Sequence, residues 1–213
     1  MNQIDLFGNA PNCGNSLDRS TKITKVKNGE YILIPNFYDN VESNLFFLAL
    51  KEKVVWKQEA MQMYGKKINF PRLTAWYGDS ETPYSFSGIT LQPLYWLPEL
   101  LEIKKKIEEK AQTEFNSVLL NLYRNGNDSI SWHTDAEPEL GVNPIIGSVN
   151  FGETRKFQLK HKNTQEKFDI DLTHGSALIM QGELQHYWQH QVPKTTKPIK
   201  DRINLTFRNI KKR

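Results

Sequence analysis

His133 and Asp135 stand two positions apart, with Thr134 between them. On an extended strand, positions i and i+2 point to the same side. An imidazole and a carboxylate entering one cavity are two ligands of the facial triad of non-haem Fe(II) oxygenases, which leaves positions open for O2 and a second reactant. A polar turn after a strand would explain the same residues, so the pair needs a distant third ligand. The segment His186-Tyr-Trp-Gln-His190 offers two candidates. They share strand parity, and periodicity leaves the choice between them open. His174 precedes Gly175 and reads as a turn residue; His161 lies in a basic segment and reads as a surface residue or a phosphate contact.

Near the C-terminus, Arg202-Ile-Asn-Leu-Thr-Phe-Arg208 alternates with period two. Ile203, Leu205 and Phe207 take one face and Arg202, Asn204, Thr206 and Arg208 the other. If the polar face lines the cavity of the metal, its arginines need anionic partners, because a buried unpaired charge is costly. A dicarboxylate such as 2-oxoglutarate suits a guanidinium fork. Asn121 and Tyr123 share a face of another strand, and an amide and a phenol could bond the same acid.

These residues must be held by a scaffold. Short strands are expected at 118–123, 129–135, 145–151, 156–161, 168–172, 176–180, 186–192 and 202–209, separated in places by turn signals such as Asn125-Gly126. So many short strands in one half of a chain make an antiparallel sandwich or small barrel. The N-terminal half supplies a short strand at 31–34, ended by Pro35, and a helix from an Asp39 cap to Lys53. The spacing of Val41, Leu45, Leu48 and Glu52 marks that helix's inward face. An irregular stretch of about 56–96, dense in aromatic residues, Pro and Gly, suits a binding surface. A second helix starts at Pro98, with Leu100, Ile103, Ile107, Ala111 and Phe115 inward. Residues 1–27 read as a flexible arm and 28–213 as a single domain, divided into an N-terminal extension and lid (28–116) and a β core (117–213). The fold class is α+β, mainly β.

The chain's 213 residues suffice for one core. A net charge of +4 and a pI near 9.0 lean toward a polyanionic partner. The lysines cluster as Lys156, Lys160 and Lys162 and as Lys194, Lys197 and Lys200. No apolar run is long enough for a membrane helix. The N-terminus has no secretory pattern, and the lone Cys13 fits a reducing compartment, so a cytoplasmic protein is expected.

In order, the chain reads Asn121-x-Tyr123, His133-x-Asp135, a distal His, then Arg202-x-Asn204-x-x-x-Arg208. It also carries Pro71-Arg72 followed by Tyr77-Gly78-Asp79, Tyr84-Ser-Phe-Ser-Gly88 and His174-Gly175-Ser176. Over roughly residues 31–210 this resembles the AlkB family of Fe(II)/2-oxoglutarate dioxygenases, especially its DNA-repair members. The resemblance implies a double-stranded β-helix (jelly roll) under a nucleotide-recognition lid. It makes His133, Asp135 and His190 the iron ligands, with His190 preferred over His186 by its distance to the arginines. It places Asn121, Tyr123, Arg202, Asn204 and Arg208 around 2-oxoglutarate, with Arg202 on the distal carboxylate. Tyr84, Ser87, Glu137 and Arg72 fall at substrate-base positions, and Tyr64 where a wedge fills the gap left by a flipped base. The implied reaction is oxidative demethylation of bases such as 1-methyladenine and 3-methylcytosine in DNA, consuming O2 and releasing succinate, CO2 and formaldehyde. RNA or protein as substrate, or a catalytically silent β-barrel that binds nucleic acid, are the competing readings. A monomer is expected. Gln3-Ile-Asp-Leu6-Phe7 further resembles the short motif by which bacterial proteins dock on the sliding clamp.

Overall fold

Alternation along the C-terminal strands produces two antiparallel sheets with an apolar layer between them. The computed structural model describes residues 22–63, 65–80, 84–86 and 89–211. In chain order its elements are β1 (Lys22–Val26), β2 (Gly29–Ile34), α1 (Asn40–Lys53), β3 (Ala60–Met63), β4 (Lys66–Asn69), β5 (Leu73–Gly78), β6 (Tyr84–Phe86), β7 (Ile89–Leu91) and α2 (Pro98–Ala111). There follow β8 (Ser117–Tyr123), β9 (Ile130–His133), a 3-10 turn (Pro138–Leu140), β10 (Ile146–Gly152), β11 (Arg155–His161), β12 (Lys167–Leu172), β13 (Ser176–Gln181), the single turn α3 (Leu184–Tyr187), β14 (Trp188–Val192) and β15 (Arg202–Arg208).

The larger sheet has the order β1-β2-β13-β10-β15-β8-β5 and the smaller β12-β11-β14-β9. From β8 to β11 the chain alternates between them; β12 stays in the smaller sheet, and β13, β14 and β15 alternate again. This is the winding of a double-stranded β-helix. Leu119, Ile146, Leu178 and Met180 from the larger sheet meet Phe157, Leu159, Leu172, Trp188 and Val192 from the smaller. The opposite face of the larger sheet, with Val149, Phe151, Ile203, Leu205 and Phe207, is covered by α1 and α2. The hairpins β3–β4 and β6–β7 stand apart from both sheets.

Helix α1 begins in a capping box: Asp39 Oδ1 accepts from Glu42 N at 2.8 Å and Glu42 Oε2 accepts from Asp39 N at 3.1 Å. Its inward face differs from the expected one. Ser43, Phe46 and Leu50 are buried, while Val41, Leu45 and Leu48 are 70%, 65% and 62% exposed. Apolar residues recur on both sides of this helix, and contact decides between them: the Phe46 ring lies 4.8 Å from Tyr38 and 5.7 Å from Phe151. In α2 the buried residues are Leu100, Ile103, Ile107 and Ala111, as expected, with Phe115 buried just beyond.

Two boundaries also differ. Residues 22–26, read as arm, form β1 and pair with β2. The jelly roll does not begin at 117, because β2 and β5 from the N-terminal half extend the larger sheet. No helix among the described residues is long and apolar enough to cross a membrane.

Candidate metal and co-substrate site

His133 and His190 face each other across the β9–β14 pair, and a bulge follows at once. Their rings are 4.3 Å apart, edge to face. Asp135 lies two residues beyond the end of β9, on a loop. The ligand atoms of His133, Asp135 and His190 all lie within 4.8 Å of one another. His133 Nδ1 is 2.8 Å from the Ser131 carbonyl oxygen. With Nδ1–H donating there, the Nε2 lone pair is free for a ligand role. His190 Nε2 lies 4.0 Å from Asp135 Oδ2.

The electrostatics keep all three in metal-binding form. Burial, then the His133 and Arg208 charges, push His190 down to about 3 against the opposing pull of Asp135. His133 is lowered as well, mainly by burial. Burial pushes the Asp135 carboxyl up, but Arg208 and the two imidazoles outweigh it and hold it down at about 2. Arg208 Nη2 donates to Asp135 Oδ1 at 2.8 Å, leaving Oδ2 toward the histidines.

The polar face of β15 continues the site. Arg202 is 1% exposed, and its Nη2 donates to Asn150 Oδ1 at 2.6 Å. Its Nε and Nη1 are buried and make no hydrogen bond to the described residues. Burial foremost lowers its pKa to about 10, so it is still a cation at neutral pH. Tyr123 is its partner in register, and the guanidinium lies 5.1 Å from that ring. Asn204 Nδ2 donates to Ser148 Oγ at 2.9 Å and to Asn150 Oδ1 at 3.1 Å. Asn121, across from Asn204, accepts from Arg72 Nε at 2.7 Å. Arg72, Asn121, Tyr123, Ser148, Arg202 and Asn204 line a cavity of about 400 Å³ together with the triad, Glu137 and Met61 of the β3–β4 hairpin.

The remaining sequence candidates are placed as follows. His186 sits in α3, exposed, where its Nε2 accepts from Asn143 N at 3.4 Å, away from the triad. The strand expected at 186–192 starts with that helical turn, so strand parity does not apply to His186. His161 is not a surface residue. It is buried, with Nδ1 accepting from Asn163 N and Thr164 N and its ring against Trp188. Arg72 is buried and tied to Asn121 and, at 3.3 Å, to the Ser129 carbonyl. Glu137 lines the cavity, its Oε2 buried and without a hydrogen bond to the described residues. The backbone of Tyr84 belongs to β6. Tyr64, Ser87, Gln3, Leu6 and Phe7 lie outside the described residues.

Three supporting residues escaped the sequence reading. Arg155, 4% exposed, lies with its guanidinium 5.6 Å from the Tyr123 ring and donates to the Asp128 and Pro193 carbonyls at 3.0 and 2.6 Å. Its alternation with Phe157 and Leu159 was the available signal. Asn150 joins Arg202 to Asn204, and its alternation with Ser148 was equally visible. Gln185, which accepts from Asp135 N, carried no signal at all.

A jelly roll enclosing a His-x-Asp pair, a distal His and a buried arginine with no carboxylate partner among the described residues has the architecture of a non-haem iron oxygenase that takes an acidic co-substrate. Residues 30–208 match the family model of the 2OG-Fe(II) oxygenase superfamily, to which the chain belongs as an AlkB-like member. It is 45% identical over 188 residues to the alpha-ketoglutarate-dependent dioxygenase alkB homolog 3 of Bos taurus, covering 84% of this chain and 65% of that protein. It is 36% identical over 184 residues to the DNA oxidative demethylase ALKBH2 of Homo sapiens, covering 81% and 70%. The chain thus spans just under two thirds of the first of these relatives. Among solved structures, that of OsALKBH1 aligns with a TM-score of 0.61 at 17% identity, covering 88% of this chain and all (100%) of that one, a likeness of fold.

Proposed function

We propose that this protein is a cytoplasmic dioxygenase that oxidatively removes alkyl groups from nucleic-acid bases, with 1-methyladenine and 3-methylcytosine in DNA as substrates. The observation that carries the reading is Arg202: a buried cation with two unsatisfied nitrogens, in one cavity with a His-Asp-His cluster. Such a cation calls for an anion, and a carboxylate of 2-oxoglutarate is the fitting one. The names of the relatives support both the co-substrate and the demethylation.

His133, Asp135 and His190 would hold Fe(II), and Arg202, with Asn121, Tyr123, Asn204 and Arg208 around it, would hold 2-oxoglutarate. Bound Fe(II) and 2-oxoglutarate supply the oxidation by O2 that turns a base N-methyl group into formaldehyde, with succinate and CO2 as co-products. Arg208 keeps Asp135 anionic through Oδ1 and leaves Oδ2, on the His190 side, as the oxygen that would serve as ligand. Tyr123 and Asn150 orient Arg202. Leu119, Phe157, Leu172 and Met180 keep the cavity wall apolar and exclude water. The target base enters from the mouth, where Glu137 accepts from its edge. A methyl group that blocks pairing makes such a base cheaper to extrude from the stack. Tyr84, Ser87 and the Tyr64 wedge would complete the base site. The basic strand contributes less to phosphate binding than its composition implies. Lys156 pairs with Asp169 and Lys162 donates to the His186 carbonyl, while Lys160 lies over the Trp132 ring. Residues 1–12, through Gln3, Leu6 and Phe7, would dock the protein on a sliding clamp; a synthetic peptide of that segment without affinity for the clamp removes this part.

The test is succinate and formaldehyde release from methylated DNA and RNA oligonucleotides, with anaerobically loaded Fe(II), then 2-oxoglutarate and O2. Stoichiometric formaldehyde and repaired base, lost by at least about a hundredfold in His133→Ala and Arg202→Ala, is the expected result. Succinate without DNA repair moves the substrate to RNA or protein. No succinate from iron-loaded protein sinks the proposal in favour of a silent binding module.

A further inference from the structure

Of the three triad residues, Asp135 alone lies outside a strand. Strand β9 ends at His133, and residues 134–137 belong to no strand or helix. The Asp135 backbone N–H finds its acceptor in a side chain, Gln185 Oε1, at 2.9 Å. Gln185 is 1% exposed and sits on α3, the single turn that leads into β14 and His190. That turn is itself anchored. Leu184 is fully buried, the Lys162 backbone N–H donates to the Tyr187 carbonyl at 2.7 Å, and Lys162 Nζ donates to the His186 carbonyl at 2.6 Å. The Gln185 amide nitrogen points at Met180 Sδ, 3.6 Å away on β13. A sulfur is a weak acceptor, so the amide's firm bond is the one through its oxygen.

We propose that Gln185 is a positioning residue for the metal. Its carbonyl oxygen replaces the ladder partner that Asp135 lacks, and so fixes the backbone from which the carboxylate reaches the two histidines. Arg208 holds the same residue by its side chain. With both tethers, the Asp135 loop and the strand bearing His190 form one rigid unit before metal arrives, which lowers the ordering cost of binding. The inference rests on the metal-binding role proposed for the triad, and adds a residue that belongs to none of the motifs above.

The experiment is a titration of the full-length, metal-free protein with Co(II), read by visible absorption, alongside the thermal midpoint of the metal-free form. Gln185→Met keeps the bulk and removes the oxygen. It is expected to weaken Co(II) binding about 10-fold or more, within the usual range for groups behind a ligand, and to change the visible band. Gln185→Glu retains an acceptor oxygen at the same reach and is expected to stay close to wild type in both. Wild-type affinity and spectrum in Gln185→Met, whatever its thermal midpoint, overturn the proposal; so do equal losses in both variants. If Gln185→Met does not fold, hydrogen exchange at the Asp135 amide of the wild-type protein decides: slow exchange is expected, and exchange as fast as in a free loop overturns it. A wild-type protein that fails to bind Co(II) removes the triad reading itself, whereas Co(II) bound normally by wild type and variant alike removes only the role of Gln185.

Discussion

A histidine that is neutral before the metal arrives has no proton to release on binding. His190 is held at about 3 and His133 is lowered in the same direction, both chiefly by burial. Co(II) affinity of the metal-free protein should therefore change little between pH 6 and 8. A tenfold rise per pH unit in that window, followed by calorimetric titration, would contradict it. The same shift bears on stability. The unfolded chain takes up a proton at His190 near 6.5 while the fold refuses it until about 3. The folded state is thus favoured in full above about 6.5, and that contribution is lost as pH falls toward 3. The metal-free protein should melt at progressively lower temperature across that interval, and metal-loaded protein less so. Arg202 presents the opposite balance. Its buried charge meets no carboxylate among the described residues, so Arg202→Met should leave the metal-free thermal midpoint unchanged or raise it. Asn150 keeps Asn204 as a partner in that variant.

At the level of elements, α1 offers a sharp comparison. Leu50 is fully buried and Leu45 is 65% exposed, although both belong to regular apolar series. Leu50→Ala should cost about 2–5 kcal/mol, and Leu45→Ala no more than about 0.5 kcal/mol, in urea unfolding. Equal losses would mean that Leu45 is covered in solution. The strand β15 divides its residues just as cleanly: Ile203, Leu205 and Phe207 enter the helix-covered core while Arg202, Asn204, Thr206 and Arg208 line the cavity. One strand thereby ties the site to the most buried layer of the protein.

For the molecule as a whole, the jelly roll gathers four buried arginines, Arg72, Arg155, Arg202 and Arg208, around the cavity and its margin. This positive interior favours a doubly charged acid. With Mn(II) bound and O2 excluded, 2-oxoglutarate at about a hundred times its Kd adds about 2.7 kcal/mol to folding. In a chain of this length that corresponds to a rise of about 5–10 °C in Tm. Calorimetry should find this rise in the wild type and not in Arg202→Met, which separates co-substrate binding from turnover.

How much of this could be read beforehand depends on the range of the interaction involved. Most strands from 117 onward, the helices α1 and α2, the Asp39 cap and the two-faced β15 were legible, because alternation and capping are local properties of neighbouring residues; the turn α3 at the start of the strand expected at 186–192 was not. The jelly roll and the full ligand set, with His190 rather than His186, came from the family resemblance that the order of the motifs carries; periodicity alone left the third histidine open. The inward face of α1 was not legible, since two apolar stripes compete and only Phe151 and Tyr38 across the interface choose between them. The same holds for β1, which is a strand only because β2 accepts it, and for His161, whose basic neighbours disguise a buried ring. Gln185 is the clearest case. Its hydrogen bond to Asp135 spans fifty positions of sequence and follows no period, and the fold alone brings the two together. Sequence by itself determined which side chains were available for the chemistry and which way each strand presents them. Tertiary structure decided what holds Asp135 in place, that His186 leaves the strand for a helical turn, and that Arg202 meets no carboxylate among the described residues, because each of these depends on groups distant in the chain sharing one desolvated space.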